Sequence, residues 1–175
     1  MTSSQTLRFA PEAWEVAAQV VDPELPMLTL ADLGILREVR SAPHDPATVV
    51  VTITPTYAGC PALAEIRSDL HRRLLWAGYP NVEIRTELAP PWSSDWITAE
   101  GRRKLTAHGM SPPGTGAHHQ SSTVSLPLAP TRLAARCPQC GAEETEVLSR
   151  FGPTPCTALV RCLACQEPFE HVKEI

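Results

Sequence analysis

The fold is decided by residues 48–78, which read TVVVTITPTYAGCPALAEIRSDLHRRLLWAG. Residues 48–54 are mostly β-branched, which predicts a strand with Val49, Val51 and Ile53 on one face. After a short loop, Cys60-Pro61 is predicted to open a helix, because proline suits the first helical position. The apolar stripe of this helix is Leu63, Ile66, Leu70 and Leu74, with Gly78 as its predicted end.

Further helix and strand signals lie on both sides of this stretch. Residues 11–21 predict a helix, and residues 34–40 and 82–88 predict strands. The buried stripe of the first helix is predicted to be Trp14, Ala17, Ala18 and Val21. A third helix is expected to run from Ser93 or Ser94 to Gly109. The order α-β-β-α-β-α predicts an α/β (α+β) fold, a small sandwich in which helices cover a short mixed sheet.

Charge and hydropathy exclude several classes of protein. The chain has 175 residues, 43% of them hydrophobic, and a formal net charge of −4 from 15 basic and 19 acidic residues. This composition suffices for a buried core, and it lacks the positive charge that binds nucleic acid or anionic membranes. No apolar run approaches the ~18 residues of a membrane span, and the first residues lack a secretion signal. We therefore expect a cytoplasmic protein whose partners include neither a membrane nor a nucleic acid.

One segment differs in composition from the rest of the chain. Residues 110–131 contain no Asp, Glu, Lys or Arg and are rich in proline, glycine, serine and threonine. Such a segment cannot bury enough surface to offset its ordering entropy, which is typical of a linker. The sequence therefore predicts a first domain over 8–110, a linker over 111–131 and a small module over 132–175. His118 and His119 lie in this linker and are interpreted as polar filler, with a metal role as the alternative.

Two CxxC pairs give the strongest local signal in the small module. They are Cys137, Cys140, Cys162 and Cys165. Each CxxC turn lets two thiolates reach one ion, and two such turns complete a tetrahedral site of four sulfurs. Because 146–151, 157–161 and 169–173 are strand-like, the module is predicted to be a β zinc ribbon with a structural Zn²⁺. Iron is the competing metal, and this use of cysteine favours a reducing compartment.

Two other residues of the module carry side chains that can ligate metals. Cys156 is interpreted as a small buried side chain, with a fifth or exchange ligand as the alternative. His171 is interpreted as a strand residue, because the four cysteines already close the coordination shell. The module has slightly more acidic than basic residues, so contact with a protein fits better than contact with nucleic acid.

Cys60 is the lone cysteine of the first domain. Its predicted place at a helix N-terminus should lower the pKa of the thiol. The thiolate could then be a nucleophile, a redox group, or a ligand for iron or an iron–sulfur cluster, and the alternative is a small buried side chain. A Cys–His pair with His71 is left open. Asp22-Pro-Glu24 and Asp32-Leu-Gly34 either turn and cap the chain or line one face beside Cys60.

Several motifs together resemble a known family. DPELP at 22–26, DLGI at 32–35 and TYAGCP at 56–61 are similar to the metal–sulfur assembly domain of SufT-like proteins. PPWSSDWI at 90–97, GRRKL at 101–105 and the C-terminal ribbon narrow the resemblance to the D subunits of phenylacetyl-CoA epoxidase (ring-1,2-epoxidase) systems. Tyr57-Ala58 stands where the wider family often has Thr-Pro, and Glu174 stands where some D subunits have a cysteine.

This resemblance implies an accessory protein rather than an enzyme. It would help to assemble or insert an iron or iron–sulfur centre during aerobic phenylacetate degradation. Cys60 would contact the iron or cluster transiently, and Asp22 and Thr56 would shape its surroundings. The partners would be the di-iron oxygenase component or the reductase component with its flavin and iron–sulfur centre, docked by the zinc ribbon. A homodimer that shares two Cys60 thiols is left open.

Two other functions remain as alternatives at this stage. The chain could be a non-catalytic scaffold subunit that only bridges the oxygenase components. It could also be an enzyme with Cys60 as nucleophile, although the sequence reveals no base and no oxyanion site to support one.

Overall fold

The computed structural model describes residues 8–42, 45, 47–114 and 135–174, without the side chains of 8 and 9. The chain divides into two compact units, and the division falls between Gly101 and Arg102. None of the helices in the described residues is long and apolar enough to cross a membrane.

The first unit contains one sheet and the helices that follow its strands. The elements in chain order are β1 (Arg8–Phe9), α1 (Pro11–Ala18), β2 (Leu36–Ser41), β3 (Thr48–Ile53), α2 (Leu63–Trp76), β4 (Asn81–Thr86), a 3-10 helix (Ser94–Trp96) and α3 (Ala99–Ala107). Helix α3 extends past the division between the units. The strand order is β1-β2-β3-β4, with β2 antiparallel to β1 and β3, and β4 parallel to β3. The predicted mixed α/β fold is therefore confirmed.

β3 is the centre of this unit. It pairs with β2 on one edge and with β4 on the other. Val49, Val51 and Ile53 are fully buried, and the alternate residues Val50 and Thr52 are nearly so. Both faces of the strand are therefore covered. The predicted α2 stripe is confirmed at Ile66, Leu70 and Leu74, which are at most 1% exposed, and each such side chain contributes about 1.5–3 kcal/mol by burial.

The predicted stripe of the first helix is confirmed at Ala17 and wrong at Val21. Ala13, Ala17 and Val20 are fully buried, whereas Val21 is 39% exposed. The reason is that α1 ends at Ala18, and Val21 instead forms an isolated β-bridge with Thr29. Helical spacing therefore no longer applies at the end of the predicted stripe.

The turn at Asp32–Gly34 is hydrogen-bonded to the segment that follows β4 and contains Trp92 and Thr98. The indole N–H of Trp92 donates to the carbonyl of Leu33 at 2.9 Å, and the Thr98 N–H donates to the carbonyl of Asp32 at 2.9 Å. Gly34 has a φ of +67°, and a Cβ there would lie 2.6 Å from the Cβ of Trp96. This glycine is therefore required both by its backbone conformation and by the close approach of Trp96.

The second unit contains a four-stranded sheet. Its strands are β5 (Met110–Ser111), β6 (Thr145–Ser149), β7 (Thr157–Cys162) and β8 (Pro168–Val172), in the order β5-β8-β7-β6. β5 is parallel to β8, and the other pairs are antiparallel. The core of this unit is Ala135, Cys137, Val160, Cys162 and Phe169. The three strands predicted for the ribbon correspond to β6, β7 and β8.

The units divide at an earlier residue than the predicted domain boundary at 110. Met110–Ser111 pairs with β8, and the Gly114 N–H donates to a carboxylate oxygen of Glu174 at 2.9 Å. The first residues of the predicted linker therefore contact the second sheet. Residues 115–134, which include His118, His119 and the rest of the linker, lie outside the described residues.

We expect Gly34→Ala to lower the free energy of unfolding by roughly 2–5 kcal/mol, because it adds an overlap with Trp96 to an unfavourable left-handed backbone. Gly78→Ala is the matched control. Gly78 also has a positive φ, of +97°, but no atom lies within 4 Å of an added Cβ, so roughly 1–2 kcal/mol is expected. Urea unfolding of both variants measures the difference, and equal losses would contradict the role given to Trp96.

Candidate metal centres

The loop between β3 and α2 places Cys60 at the start of the helix. The Cys60 N–H donates to the carbonyl of Tyr57 at 3.2 Å, and the Cys60 carbonyl accepts from the Leu63 N–H at 3.2 Å. These two turns hold the thiol half-buried at the start of α2, near the N–H groups of Ala62 and Leu63. The helix itself begins at Leu63, and not at Cys60-Pro61 as predicted. Cys60 therefore lies three residues before the first residue of the helix.

Asp22 lies in the segment that follows α1. Its carboxylate accepts the N–H groups of Glu24 at 2.8 Å and Leu25 at 3.0 Å, so it closes a local turn. The side chain is only 6% exposed. Burial raises the pKa of this carboxyl above its usual value, although the two N–H groups lower it, and the negative charge of Glu65 raises it further.

Asp22 and Glu24 lie close enough to Cys60 to act on its thiol. Burial raises the pKa of Cys60, and the negative charges of Glu24 and Asp22 raise it further. The N–H groups of Ala62 and Leu63 act in the opposite direction. The predicted lowering of this pKa is therefore wrong, because burial and the two carboxylates outweigh the helix N-terminus. Asp22-Pro-Glu24 therefore both turns the chain, through the carboxylate of Asp22, and acts electrostatically on Cys60.

The remaining candidate residues of the first domain are Thr56, Asp32 and His71, and they are placed differently with respect to Cys60. Thr56 is half-buried in the loop that carries Cys60. Asp32 closes its own turn, since its carboxylate accepts the Thr29 N–H at 3.0 Å and its N–H donates to the Thr29 hydroxyl at 3.0 Å. His71 is exposed on α2, about 12 Å along the helix axis from its first residue. This part of the structure therefore does not bring His71 to Cys60.

Glu65 is a residue that the sequence analysis missed. It lies in the first turn of α2 and acts electrostatically on Asp22. A glutamate in the first turn of a helix is common, so the sequence gives no signal that separates this one from a helix-stabilising residue. Its relation to Asp22 depends on the packing of α2 against the segment after α1.

The second candidate centre is a cluster of four cysteine sulfurs. The sulfurs of Cys137, Cys140, Cys162 and Cys165 all lie within 4.8 Å of one another. Cys137 and Cys165 are 3.7 Å apart, and Cys140 and Cys162 are 3.6 Å apart. A tetrahedron with metal–sulfur bonds of about 2.3 Å has edges of about 3.8 Å. The cluster therefore has the spacing that one tetrahedral metal ion needs.

The backbone around the cluster also suits thiolate ligands. The Gly141 N–H donates to the carbonyl of Cys137 at 2.9 Å, which closes the first CxxC turn. In the second, the Cys165 N–H donates to the sulfur of Cys162 at 3.5 Å. This N–H is the largest cause that lowers the pKa of Cys162, to about 7. Although backbone N–H groups lower them, the neighbouring sulfurs raise the pKa of Cys140 and raise that of Cys165 to about 12. Of these three thiols, Cys162 is therefore the first to ionise, and the spacing of the four sulfurs fits a zinc ion.

Cys156 and His171 lie apart from the four-cysteine cluster. The sulfur of Cys156 is 3.1 Å from the hydroxyl of Thr154. His171 lies in β8, as expected of a strand residue, and is fully buried with its Nδ1 3.2 Å from the hydroxyl of Ser111. Burial lowers the pKa of His171. Neither residue belongs to the metal-ligating group found in the described residues.

Two family models match the chain, in the order of its two sheets. Residues 12–84 match the model of an iron–sulfur cluster assembly protein, which includes Asp22, Thr56 and Cys60. Residues 121–173 match the PaaD zinc beta ribbon domain, which includes all four cysteines of the cluster.

Solved structures of similar proteins are also known. A domain of unknown function from Bacillus anthracis is 26% identical, with a TM-score of 0.48 over 54% of this chain and 89% of that chain. A conserved hypothetical protein from Thermotoga maritima is 26% identical, with a TM-score of 0.46 over 57% of this chain and 97% of that chain.

One relative is similar over nearly the whole length. A protein of Escherichia coli strain K12, assigned as the D subunit of a 1,2-phenylacetyl-CoA epoxidase, is 36% identical over 162 residues. The match covers 93% of this chain and 91% of that protein. The resemblance inferred from the sequence motifs is thereby confirmed. The chain belongs to the family of phenylacetyl-CoA epoxidase D subunits and combines an iron–sulfur cluster assembly domain with a zinc ribbon domain.

Proposed function

We propose that this protein is an accessory maturation factor for a multicomponent phenylacetyl-CoA epoxidase. It helps to assemble or insert an iron or iron–sulfur centre and does not itself catalyse the oxidation. The observation that carries the proposal is the half-buried Cys60 thiol beside the carboxylates of Asp22 and Glu24, within the segment that matches an iron–sulfur cluster assembly protein.

The charges around Cys60 favour the binding of a cation and disfavour a free thiolate. The charges of Glu24 and Asp22 repel a thiolate at Cys60 and raise its pKa. The same charges attract an iron cation, whose own charge offsets the repulsion once the thiol loses its proton. The N–H groups of Ala62 and Leu63 lower the pKa of the thiol, so they also stabilise the thiolate in that bound state. The thiol therefore holds its proton until a cation arrives.

Weak binding of the cargo is a requirement for a protein that must release it. One thiolate contributes a soft ligand, and carboxylates such as that of Asp22 are hard ligands that suit ferrous iron. We propose Cys60 as the contact to the iron or cluster, with Asp22 and Thr56 shaping its surroundings.

We propose that the four-cysteine cluster holds a structural Zn²⁺. Four protein ligands leave no open position for a substrate. The core of the second unit contains few large apolar side chains, so the metal must supply much of its folding free energy; small zinc modules gain roughly 10–16 kcal/mol in this way.

We propose that the ribbon docks the oxygenase or reductase component. Its described surface includes four large apolar side chains that are 39–74% exposed, namely Val147, Leu148, Phe151 and Leu163. Exposed apolar groups are typical of surfaces that contact other proteins where they form a contiguous patch, and we propose that Phe151, the most exposed of the four, lies at the contact. This arrangement places cargo binding and client binding in different parts of the chain.

Cells that lack this protein provide the test of the proposed function. Complementation with the wild type should restore the iron content and activity of the epoxidase components, and Cys60→Ser should not. Cys156→Ser is the matched control, because that thiol lies outside both candidate centres. Iron in the purified oxygenase and reductase is measured for each strain. Normal iron loading with Cys60→Ser would contradict the proposal and leave a scaffold role.

The structural metal is tested by replacing one ligand. The wild type should contain about one zinc ion per chain, and Cys165→Ser should lose it together with the hydrogen-exchange protection of β6, β7 and β8. Cys156→Ser should retain both. Zinc is measured by mass spectrometry of the intact chain. Full zinc content in the Cys165→Ser protein would show that the four sulfurs do not act as one site.

The electrostatic account of Cys60 predicts a measurable change in thiol reactivity. Glu24→Gln removes a negative charge that raises the pKa of Cys60, so more thiolate is present at pH 8 and alkylation by iodoacetamide is faster. Peptide mapping follows Cys60 alone. Glu15→Gln, an exposed change on α1, should leave the rate unchanged. A rate that is equal in all three proteins would exclude the assigned repulsion.

A further inference from the structure

The outer edge of β4 is the most regular strand edge in the described residues. The first sheet ends on β1 and β4, and the second ends on β5 and β6. β1 and β5 have two residues each, and the pairing of β6 is interrupted by a bulge. β4 has six residues in unbroken register with β3 and contains neither proline nor lysine. Proteins usually block an edge of this kind, so β4 is the edge best suited to accept another strand.

The backbone groups that β4 presents outward follow from its pairing with β3. The Glu87 N–H donates to the carbonyl of Ile53 at 2.9 Å. Because successive residues of a strand alternate in the side to which their N–H and C=O point, Arg85 and Glu83 also point toward β3. Val82, Ile84 and Thr86 therefore direct their N–H and C=O groups away from the sheet. These groups form an evenly spaced set with Ile84 at its centre.

The side chains of β4 on the two sides of Ile84 are complementary to those of a second, antiparallel copy of the strand. Glu83 and Arg85 flank Ile84 with opposite charges, and Val82 and Thr86 flank it with β-branched side chains. Glu83 and Arg85 lie on one face, where their side chains are 51% and 47% exposed and form an ion pair. Two copies paired antiparallel about Ile84 place Glu83 of each opposite Arg85 of the other, which is the favourable charge arrangement.

We propose that two copies of this chain associate through the outer edges of β4, antiparallel and centred on Ile84, so that their four-stranded sheets become one continuous sheet. The partner is a second copy because the charges and the outward backbone groups match under one two-fold axis. Ile84 exchanges both of its hydrogen bonds with Ile84 of the other copy, and Val82 does so with Thr86.

Other registers of the same edges are less favourable. Moving the two-fold axis to Val82 places Ile84 opposite Pro80, and moving it to Thr86 places Val82 opposite Pro90. A proline has no N–H to donate, so each alternative loses hydrogen bonds. The centre at Ile84 pairs five of the six residues of β4, Val82 to Thr86, with the same residues of the other copy. The inference stands independently of the proposed function, since it involves neither Cys60 nor the cysteine cluster.

Charge reversal gives the test. In sedimentation velocity of the full chain, the average mass of the wild type should rise from that of a monomer toward that of a dimer as the protein concentration increases. Glu83→Arg and Arg85→Glu should each remain monomeric there, because each places like charges opposite each other in both cross-strand pairs. An equimolar mixture of the two should regain the dimer, because the facing charges are again opposite. The double variant E83R/R85E should also dimerise.

The control is Glu15→Arg, a charge reversal at an exposed position of α1, which should associate like the wild type. Circular dichroism checks that every variant is folded, and the double variant keeps the test valid if one single variant is not. A wild type that stays monomeric at all concentrations would overturn the proposal. It would also be overturned if another segment of the chain or another protein were found to pair with the outer edge of β4. Single variants that dimerise like the wild type, or a mixture that stays monomeric, would overturn it equally.

Discussion

The burial of β3 on both faces is the constraint on which the first unit depends. The strand pairs on both edges, and even its alternate residues Val50 and Thr52 are covered. A strand enclosed in this way cannot shift its register without exposing apolar residues. The loop that leaves its end is therefore held at a fixed point, and the short turns from Tyr57 to Leu63 place Cys60 directly before α2.

The groups around Cys60 act on the pKa of its thiol in two opposite directions. The helix N-terminus stabilises a thiolate, while burial and the carboxylates of Glu24 and Asp22 destabilise it. The second set is stronger, so the resting thiol is less acidic than a free cysteine. A reactive nucleophile needs the opposite balance. A cation-dependent ligand fits the observed balance well, because a metal ion converts the repulsive carboxylates into favourable neighbours.

The sequence predicted the parts of the structure that depend on local pattern. The order of the main helices and strands, the α2 stripe and the four-cysteine motif were evident from periodicity and motif. The third helix, predicted to begin at Ser93 or Ser94, begins only at Ala99 after a separate 3-10 helix, and the short strand β1 was not predicted. The failures have a common cause in tertiary packing. Val21 lies outside the helix that its spacing suggested, and Met110–Ser111 joins a sheet whose other strands lie far along the chain. The sign of the Cys60 pKa shift likewise depends on residues that only folding brings near.

Metal and acid-labile sulfide per chain, measured on protein purified and reconstituted without oxygen, test directly whether Cys60 binds the cargo. The wild type should bind iron in addition to its zinc, and Cys60→Ser should bind zinc alone. Sulfide in the wild type would identify the cargo as a cluster, and its absence would identify iron. Equal iron in the wild type and in Cys60→Ser would contradict the assignment of Cys60 as the contact to the cargo.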